Sequence, residues 1–232
     1  MTSSGEIREK LRQTIAEIFQ TTPEEIGPEF PLRSRRLEGS VGRGILDAAL
    51  RRRLGVKCSE VYSVRTYGEL EAAVTGVALA PVTPEEGKTP TATAHTALQI
   101  ETNAPSVILN GLACGVDIEM IENLPVEEDY WEADFYTTIF SRAEIAYCLA
   151  QENPRMHFAA RWCAKEALKK CDPSYLGLDM KDIEVTIDAA GKPSLQVRTS
   201  AGPRTLLVAL SMSHTTVMAT AIVVSASSGA SG

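Results

Sequence analysis

The spacing of apolar residues changes once along the chain, and this change limits the folds that the chain can adopt. In the first 75 residues apolar side chains recur every three to four positions, which predicts amphipathic helices over 6–20, 40–54 and 67–74. After residue 106 apolar and polar residues alternate in short runs, which predicts strands. The stretch between them is rich in Pro and Thr and poor in large apolar residues, as is typical of a linker.

We therefore expect an α+β fold preceded by a small α-helical bundle. In the α+β part, two helices over 141–150 and 154–171 precede several β-rich runs, which are IEVTID, SLQVRT, TLLVALSMS and VMATAIVVSA. The predicted division is a helical bundle over 1–75, a linker over 76–105, the mixed domain over 106–226 and a disordered Ser/Gly tail over 227–232.

Composition and charge exclude several classes of protein. A net charge of −7 argues against nucleic acid as the main partner, because phosphate-backbone binding needs an excess of Lys and Arg. No apolar run approaches the ~20 residues that span a bilayer, and no apolar stretch follows the first charged residues as in a secretory signal. We therefore expect a cytoplasmic protein without a membrane partner. Five cysteines without a C-x-x-C spacing predict neither a disulfide framework nor a zinc site.

Acidic residues on two separate predicted elements suggest a metal site. Asp117 and Glu119 end a β-run, and Glu166 lies on the helix over 154–171 among several Lys and Arg residues. Magnesium binds one or two carboxylates, keeps some of its waters and leaves room for phosphate oxygens. Nearby lysines would neutralise the charge on a departing phosphate. The same residues are also compatible with a solvated helix face that carries ordinary salt bridges.

Five sequence motifs occur together and in order. They are GVDIE at 115–119, FSxxE at 140–144, FAARWCAKEALKK at 158–170, GKP at 191–193 and SHT at 213–215. Together they resemble the holo-acyl-carrier-protein synthase family of 4′-phosphopantetheinyl transferases, over about 120 residues. The resemblance implies the fold of that family and transfer of the 4′-phosphopantetheine arm from coenzyme A to a serine of an acyl or peptidyl carrier protein.

The resemblance also assigns roles to single residues. Asp117 and Glu166 would ligate the magnesium that bridges the pyrophosphate of coenzyme A, and Lys170 would contact that pyrophosphate and complete the catalytic set. The residues that would bind coenzyme A are Arg161, Lys165, Lys170, Ser213 and His214. The carrier serine would attack the β-phosphorus and 3′,5′-ADP would leave. The general base stays open between Glu166 and a metal-bound water. Short members of the family form trimers with active sites between subunits, so we expect a homotrimer.

The first 75 residues resemble an acyl carrier protein. Ser40 lies fifteen residues before Gly55, as in carriers, but Gly39-Ser40-Val41 replaces the usual Asp-Ser-Leu. The predicted second helix also carries Arg43 and the run RRR at 51–53, where carriers are acidic. Since a basic transferase rim would repel a basic helix, we favour a degenerate carrier-like domain that is not modified. The alternative is a true carrier that is modified on Ser40.

Two functions from different classes remain. The first is the magnesium-dependent transferase, and the second is a non-catalytic carrier-like docking or scaffold component of a polyketide or fatty-acid synthase. The acidic segment 122–135 resembles transferases attached to such synthases. The presence of Asp117, Glu166, Lys165 and Lys170 favours the enzyme, because a site that had lost its activity would be expected to lose at least one of them.

Overall fold

A computed structural model describes residues 4–32, 39–76 and 112–226. The predicted linker from residue 77, the first residues of the predicted mixed domain up to 111, and the predicted tail lie outside these ranges. Within the described ranges before residue 77, the α-helices are α1 (Ser4–Phe19), α2 (Gly39–Ala49) and α3 (Tyr67–Thr75). One wider turn, Leu50–Leu54, continues α2, and Gly55 follows in the left-handed conformation with φ 70°. The predicted end of the second helix is therefore confirmed.

The C-terminal part is a mixture of helices and strands, as predicted. Its helices are α4 (Asp134–Ile139), α5 (Arg142–Leu149) and α6 (Pro154–Cys171). Its strands are β1 (Leu112–Met120), β2 (Ile183–Ile187), β3 (Pro193–Thr199), β4 (Gly202–Thr205), β5 (Val208–His214) and β6 (Met218–Ala226). Across the described ranges we find no helix that combines the length and the hydropathy needed to span a bilayer.

The strands form two antiparallel sheets, with the orders β1-β6-β5 and β2-β3-β4. The run TLLVALSMS does not form one strand, because it contributes to β4 and β5, which belong to different sheets. The chain turns between them at Leu206, which is buried, and Leu207, which is 98% exposed. Since both residues are apolar, the sequence pattern continues through the turn and gives no sign of it.

Helix α6 packs against the first sheet, and its backbone meets that of β1 at Gly115. A Cβ atom placed on Gly115 would lie 2.0 Å from the carbonyl oxygen of Ala167 and 2.5 Å from the backbone nitrogen of Cys171. The backbones of β1 and α6 are therefore in direct contact, which only glycine at this position permits. This contact sets the distance between the side chains of β1 and those of α6.

Helix α2 contributes to two apolar cores. Leu46 and Leu50 pack with α1 and α3, whereas Val41 and Ala48 belong to the core built around α6. Gly44 faces the second core, since a Cβ atom there would lie 2.7 Å from the ring of Trp162. A helix that is buried on several sides joins the elements around it. The N-terminal helices and the α+β part therefore pack against each other through α2.

Ion pairs extend this contact at the end of α2. Arg51 pairs with Asp179 at 3.0 Å. Asp134 forms ion pairs with Arg52 at 3.1 Å and with Arg53 at 3.3 Å. The expectation that the basic helix would be repelled by the catalytic part is therefore wrong for this contact, because its arginines meet carboxylates rather than other cations.

The close contact of β1 with α6 predicts that one methyl group added at position 115 strongly destabilises the protein. Gly115→Ala should lower the free energy of unfolding by about 3 kcal/mol, because neither backbone can yield to the new Cβ atom. Urea denaturation measures this change. Gly177→Ala is the matched control, since a Cβ atom there meets nothing within 4 Å. Equal effects of the two substitutions would contradict the proposed role of the close approach.

Candidate active site

One face of α6 carries Trp162, Glu166 and Lys170, which recur every four residues. The Nζ atom of Lys170 donates a hydrogen bond to Oδ1 of Asp117 at 2.6 Å. Asp117 is 5% exposed. Its other oxygen, Oδ2, is buried and has no hydrogen-bond partner among the described residues. The side chain of Asp117 therefore lies against this face of α6 through Lys170, with one oxygen that accepts no hydrogen bond in the described chain.

Glu166 lies close enough to Asp117 for their charges to interact. Burial raises the pKa of Glu166, and the charge of Asp117 raises it further, while Lys169 and Lys170 act in the opposite direction. The structure therefore brings together the two carboxylates that the sequence predicted, one from β1 and one from α6. Lys170 also joins this group: burial acts to lower its pKa, but the hydrogen bond to Asp117 and the charges of Asp117 and Glu166 together raise it.

Glu119 is a third acid of the group; the sequence placed it beside Asp117 but assigned it no role. One oxygen, Oε1, accepts hydrogen bonds from Asn123 Nδ2 at 2.7 Å and from the backbone N–H of Met120 at 3.0 Å. Burial raises the pKa of Glu119 despite these two donors. Strand alternation was the available signal, because residues 117 and 119 must point to the same face of β1. We name Asp117, Glu119 and Glu166 the acidic cluster.

The acidic cluster offers only oxygen ligands, which Mg²⁺ prefers over nitrogen or sulfur. Among the residues that the structure describes, no group of three or more His, Cys, Asp or Glu side chains is already arranged to hold a metal ion. This does not conflict with magnesium, which binds through one or two carboxylates and completes its shell with water and phosphate. The free Oδ2 atom of Asp117 fits such a ligand.

Lys165 does not belong to this group, and the prediction that it contacts coenzyme A does not fit the structure. Its side chain is fully buried and pairs with Glu144 at 2.7 Å. Its Nζ atom also donates to the carbonyl oxygens of Ile139 and Met180. Burial lowers the pKa of Lys165, and the charge of Glu144 opposes this effect. All three hydrogen-bonding positions of the ammonium group are taken inside the fold.

Glu144 explains why the FSxxE motif accompanies Lys165. It forms a capping box with Ser141 at the start of α5. Its second oxygen accepts a hydrogen bond from the backbone N–H of Val185 on β2. The Glu144–Lys165 pair therefore connects α5, α6 and the second sheet. These two motif residues position the site rather than line it.

Arg161 and His214 lie towards the other end of α6. Arg161 is buried, with its guanidinium 4.0 Å from the ring centroid of Tyr147. His214 contacts His157 with ring centroids 4.8 Å apart, and its Nδ1 atom is buried without a partner in the described chain. Arg161 precedes Glu166 by five residues, a rise of about 7.5 Å along the helix. His214 and Glu119 both pair with Ala219, from opposite sides of β6. Arg161, His157 and His214 therefore form a second group next to the acidic cluster.

Within one chain, the side chain of Ser213 belongs neither to the acidic cluster nor to the group of Arg161 and His214. Neighbouring residues of a strand point to opposite faces. His214 faces α6, so Ser213 is exposed on the outer face of the first sheet. Its predicted contact with coenzyme A would require a site formed with a second copy of the chain.

Ser40 of α2 lies at the acidic cluster. Its Oγ atom accepts a hydrogen bond from Nε1 of Trp162 at 3.1 Å and is 3.5 Å from Oε2 of Glu119, to which it donates. A cavity of about 830 Å³ lies between α1, α2 and the segment from Glu122 to Phe135. Asn123 lines the cavity, whereas Asp117 and Glu166 do not.

Comparison with known proteins identifies the C-terminal part. The profile of the 4′-phosphopantetheinyl transferase superfamily matches residues 113–221. A holo-[acyl-carrier-protein] synthase of Syntrophus aciditrophicus is 36% identical over 118 residues, which are 47% of this chain and 88% of that protein. Fatty acid synthase subunit alpha of Lachancea kluyveri is 39% identical over 84 residues, which are 35% of this chain and only 4% of that subunit. A solved holo-(acyl-carrier-protein) synthase of Bacillus anthracis, in complex with CoA (3′,5′-ADP), is 28% identical with a TM-score of 0.39, covering 50% of this chain and 96% of that one.

The matched residues include the whole acidic cluster and α6. They define a phosphopantetheinyl transferase. The chain belongs to the holo-[acyl-carrier-protein] synthase family, and the family predicted from the five motifs is confirmed. The helices before residue 77 lie outside the matched region 113–221, so their resemblance to a carrier protein stays a prediction.

The buried position of Lys165 predicts a large loss of stability when its charge is removed. Lys165→Met should lower the free energy of unfolding by about 3–5 kcal/mol, because Glu144 would remain buried without its partner. Lys192→Met is the matched control at an exposed position and should change stability by less than about 0.5 kcal/mol. Urea denaturation of both variants measures the difference. A stable Lys165→Met protein with weakened binding of coenzyme A would instead support the original prediction of a ligand contact.

Proposed function

We propose that the chain transfers the 4′-phosphopantetheine arm of coenzyme A to a serine of an acyl or peptidyl carrier protein, in a reaction that depends on magnesium. The observation that carries this proposal is the meeting of Asp117 and Glu166 beside Lys170, with Oδ2 of Asp117 buried and unpaired. Membership of the holo-[acyl-carrier-protein] synthase family supports the same reaction.

The residues of the site have distinct tasks in this reaction. Asp117 and Glu166 would hold Mg²⁺, which acts as a Lewis acid on the pyrophosphate when bound. The exposed Nζ atom of Lys170 can move from Asp117 to a phosphate oxygen and balance the charge of the departing 3′,5′-ADP. The hydroxyl of the carrier serine forms the new bond to the β-phosphorus, and its proton passes to a carboxylate or to water.

The energetic cost of the acidic cluster favours an enzyme over a non-catalytic scaffold. Burial of Glu119 and Glu166 beside Asp117 disfavours the charged forms, as their raised pKa values indicate. A bound cation would offset this cost by stabilising the charged carboxylates, whereas a scaffold has no ligand that would do so. The names of two relatives, a holo-[acyl-carrier-protein] synthase and a fatty acid synthase subunit, support an acyl carrier protein of fatty-acid synthesis as acceptor.

The transfer reaction is tested with labelled coenzyme A and an apo-carrier protein. Asp117→Asn and Glu166→Gln should each lower the rate on the order of 10²-fold or more, because each removes a charged metal ligand. Glu152→Gln, an exposed acid before α6, is the matched control and should retain the wild-type rate. Chelation of magnesium should abolish transfer by the wild type. Transfer that continues at full rate without a divalent ion would exclude the proposed metal site.

We further propose that the protein forms a homotrimer through the outer face of its first sheet. Leu112, Val116 and Ile118 on β1 are 52%, 53% and 61% exposed, and Ile222 on the neighbouring strand is 39% exposed. A continuous apolar face of this kind is typical of an interface. Sites completed by a second copy would also account for the exposed position of Ser213 on this face.

The oligomer is tested by light scattering. The wild type should have the mass of a trimer, and Ile118→Asp should have the mass of a monomer, because the new carboxylate would be buried without a partner at the interface. Leu176→Asp is the control, since Leu176 is equally exposed, at 63%, but lies outside the sheet. Active wild-type protein with the mass of a monomer would remove this proposal.

A further inference from the structure

The hydroxyl of Ser40 points out of its own helix and into the candidate active site. A serine in the first turn of a helix that serves only local structure bonds the free N–H groups of that helix. In the described chain the two hydrogen bonds of the Ser40 side chain instead go to Glu119 and Trp162, which are 79 and 122 residues away. Ser40 is therefore held by the transferase part and not by α2.

The two contacts leave Ser40 ready to act as a nucleophile. Nε1 of Trp162 is a donor and occupies one lone pair of Oγ, while Oε2 of Glu119 accepts the hydroxyl proton. A second lone pair of Oγ stays available for attack. Asn123 and the backbone of Met120 hold the other oxygen of Glu119, so Oε2 remains directed at Ser40.

The packing of α2 makes this placement specific. Val41 and Ala48 lie in the core of the transferase part, and Gly44 allows the ring of Trp162 to approach α2. At the far end of the helix, Arg52 and Arg53 pair with Asp134. The apolar contacts near Ser40 and the ion pairs beyond them dock the helix along its length.

We propose that Ser40 is an acceptor for the active site of its own chain, so that the protein attaches the 4′-phosphopantetheine arm to its own N-terminal helical part. This inference rests on the proposed function, since it names the substrate of the same site. It replaces the expectation that the N-terminal part is not modified, because the electrostatic argument for that expectation does not hold at the Arg51–Arg53 contacts.

The step conserves atoms and charge. Oγ of Ser40 forms a bond to the β-phosphorus of coenzyme A, and the bond from that phosphorus to the bridging oxygen of the pyrophosphate breaks. The bridging oxygen leaves with 3′,5′-ADP. The proton of Ser40 passes to Oε2 of Glu119, its hydrogen-bond acceptor, and from there to solvent.

Intact-mass spectrometry of the full chain tests the inference. After incubation with coenzyme A and magnesium, the wild type should gain the mass of one phosphopantetheine arm, and peptide mapping should place it on Ser40. Ser40→Ala should gain nothing. Ser59→Ala, an exposed serine of the same helical part, should gain the arm as the wild type does. The masses of the purified proteins are recorded before incubation. An arm that the wild type already carries, and that Glu166→Gln lacks, would also show that the chain modifies itself.

A pair of charge reversals tests the docking of α2. Asp134→Arg should slow the modification of Ser40 about tenfold or more, because Arg52 and Arg53 would face a like charge. Glu128→Arg adds the same charge to the same segment at an exposed position and should leave the rate unchanged. Equal rates for both variants would contradict the docking through which the inference places Ser40.

A mixing experiment tests whether acceptor and active site belong to one chain. Wild type mixed with Glu166→Ala should modify Ser40 of the wild-type chains only, at a rate that does not change on dilution. Modification of the Glu166→Ala chains at the same rate would overturn the assignment to a single chain.

The same wild-type preparation is assayed on a separate apo-carrier. Transfer to that carrier without modification of Ser40 would overturn this inference and leave the proposed function intact. Absence of both reactions would overturn the proposed function and this inference together.

Discussion

The candidate site depends on the direct contact of two backbones. Gly115 lets β1 lie against the carbonyl of Ala167, and this brings Asp117 within hydrogen-bond distance of Lys170. A side chain at position 115 would separate the strand from the helix and with it the two carboxylates that are proposed to hold the metal ion. The glycine of the GVDIE motif has no functional group of its own. It matters for the site because it sets the distance between the strand that carries Asp117 and the helix that carries Glu166.

A buried ion pair joins two further motifs inside the fold. The pair of Lys165 and Glu144 lies beneath α6, with both side chains almost completely enclosed. It fixes the start of α5 and the edge of β2 relative to the helix that carries Glu166. Two neighbouring residues of one motif, 165 and 166, thus point in different directions from α6, one towards the core and the other towards the site. Since α-helical neighbours are separated by about 100° around the axis, a motif of consecutive charged residues cannot place them all at one ligand.

Much of the fold followed from the spacing of apolar residues, and the family followed from five short motifs. The pairing of Asp117 with Glu166 was predicted, because both residues belong to such motifs. The sequence did not indicate the turn at Leu206 and Leu207, since both residues are apolar and the alternation continues on each side. The sequence predicted that Lys165 contacts coenzyme A, because the sequence alone does not show whether a lysine beside a candidate metal ligand is buried or exposed. The contact of Ser40 with Glu119 and Trp162 joins residues far apart in the chain, and no local pattern reports it.

The sharing of α2 between two cores has a consequence for the modularity of the chain. Composition places a boundary in the Pro- and Thr-rich stretch, yet the apolar surface of α2 crosses that boundary and covers Trp162. Excision of the first 76 residues would leave large aromatic surfaces of the transferase part facing water, and the excised helices would lose one of the two surfaces that bury α2. Stability and solubility of either fragment alone would suffer, so the cooperative unit of this protein is longer than the segment that its relatives share.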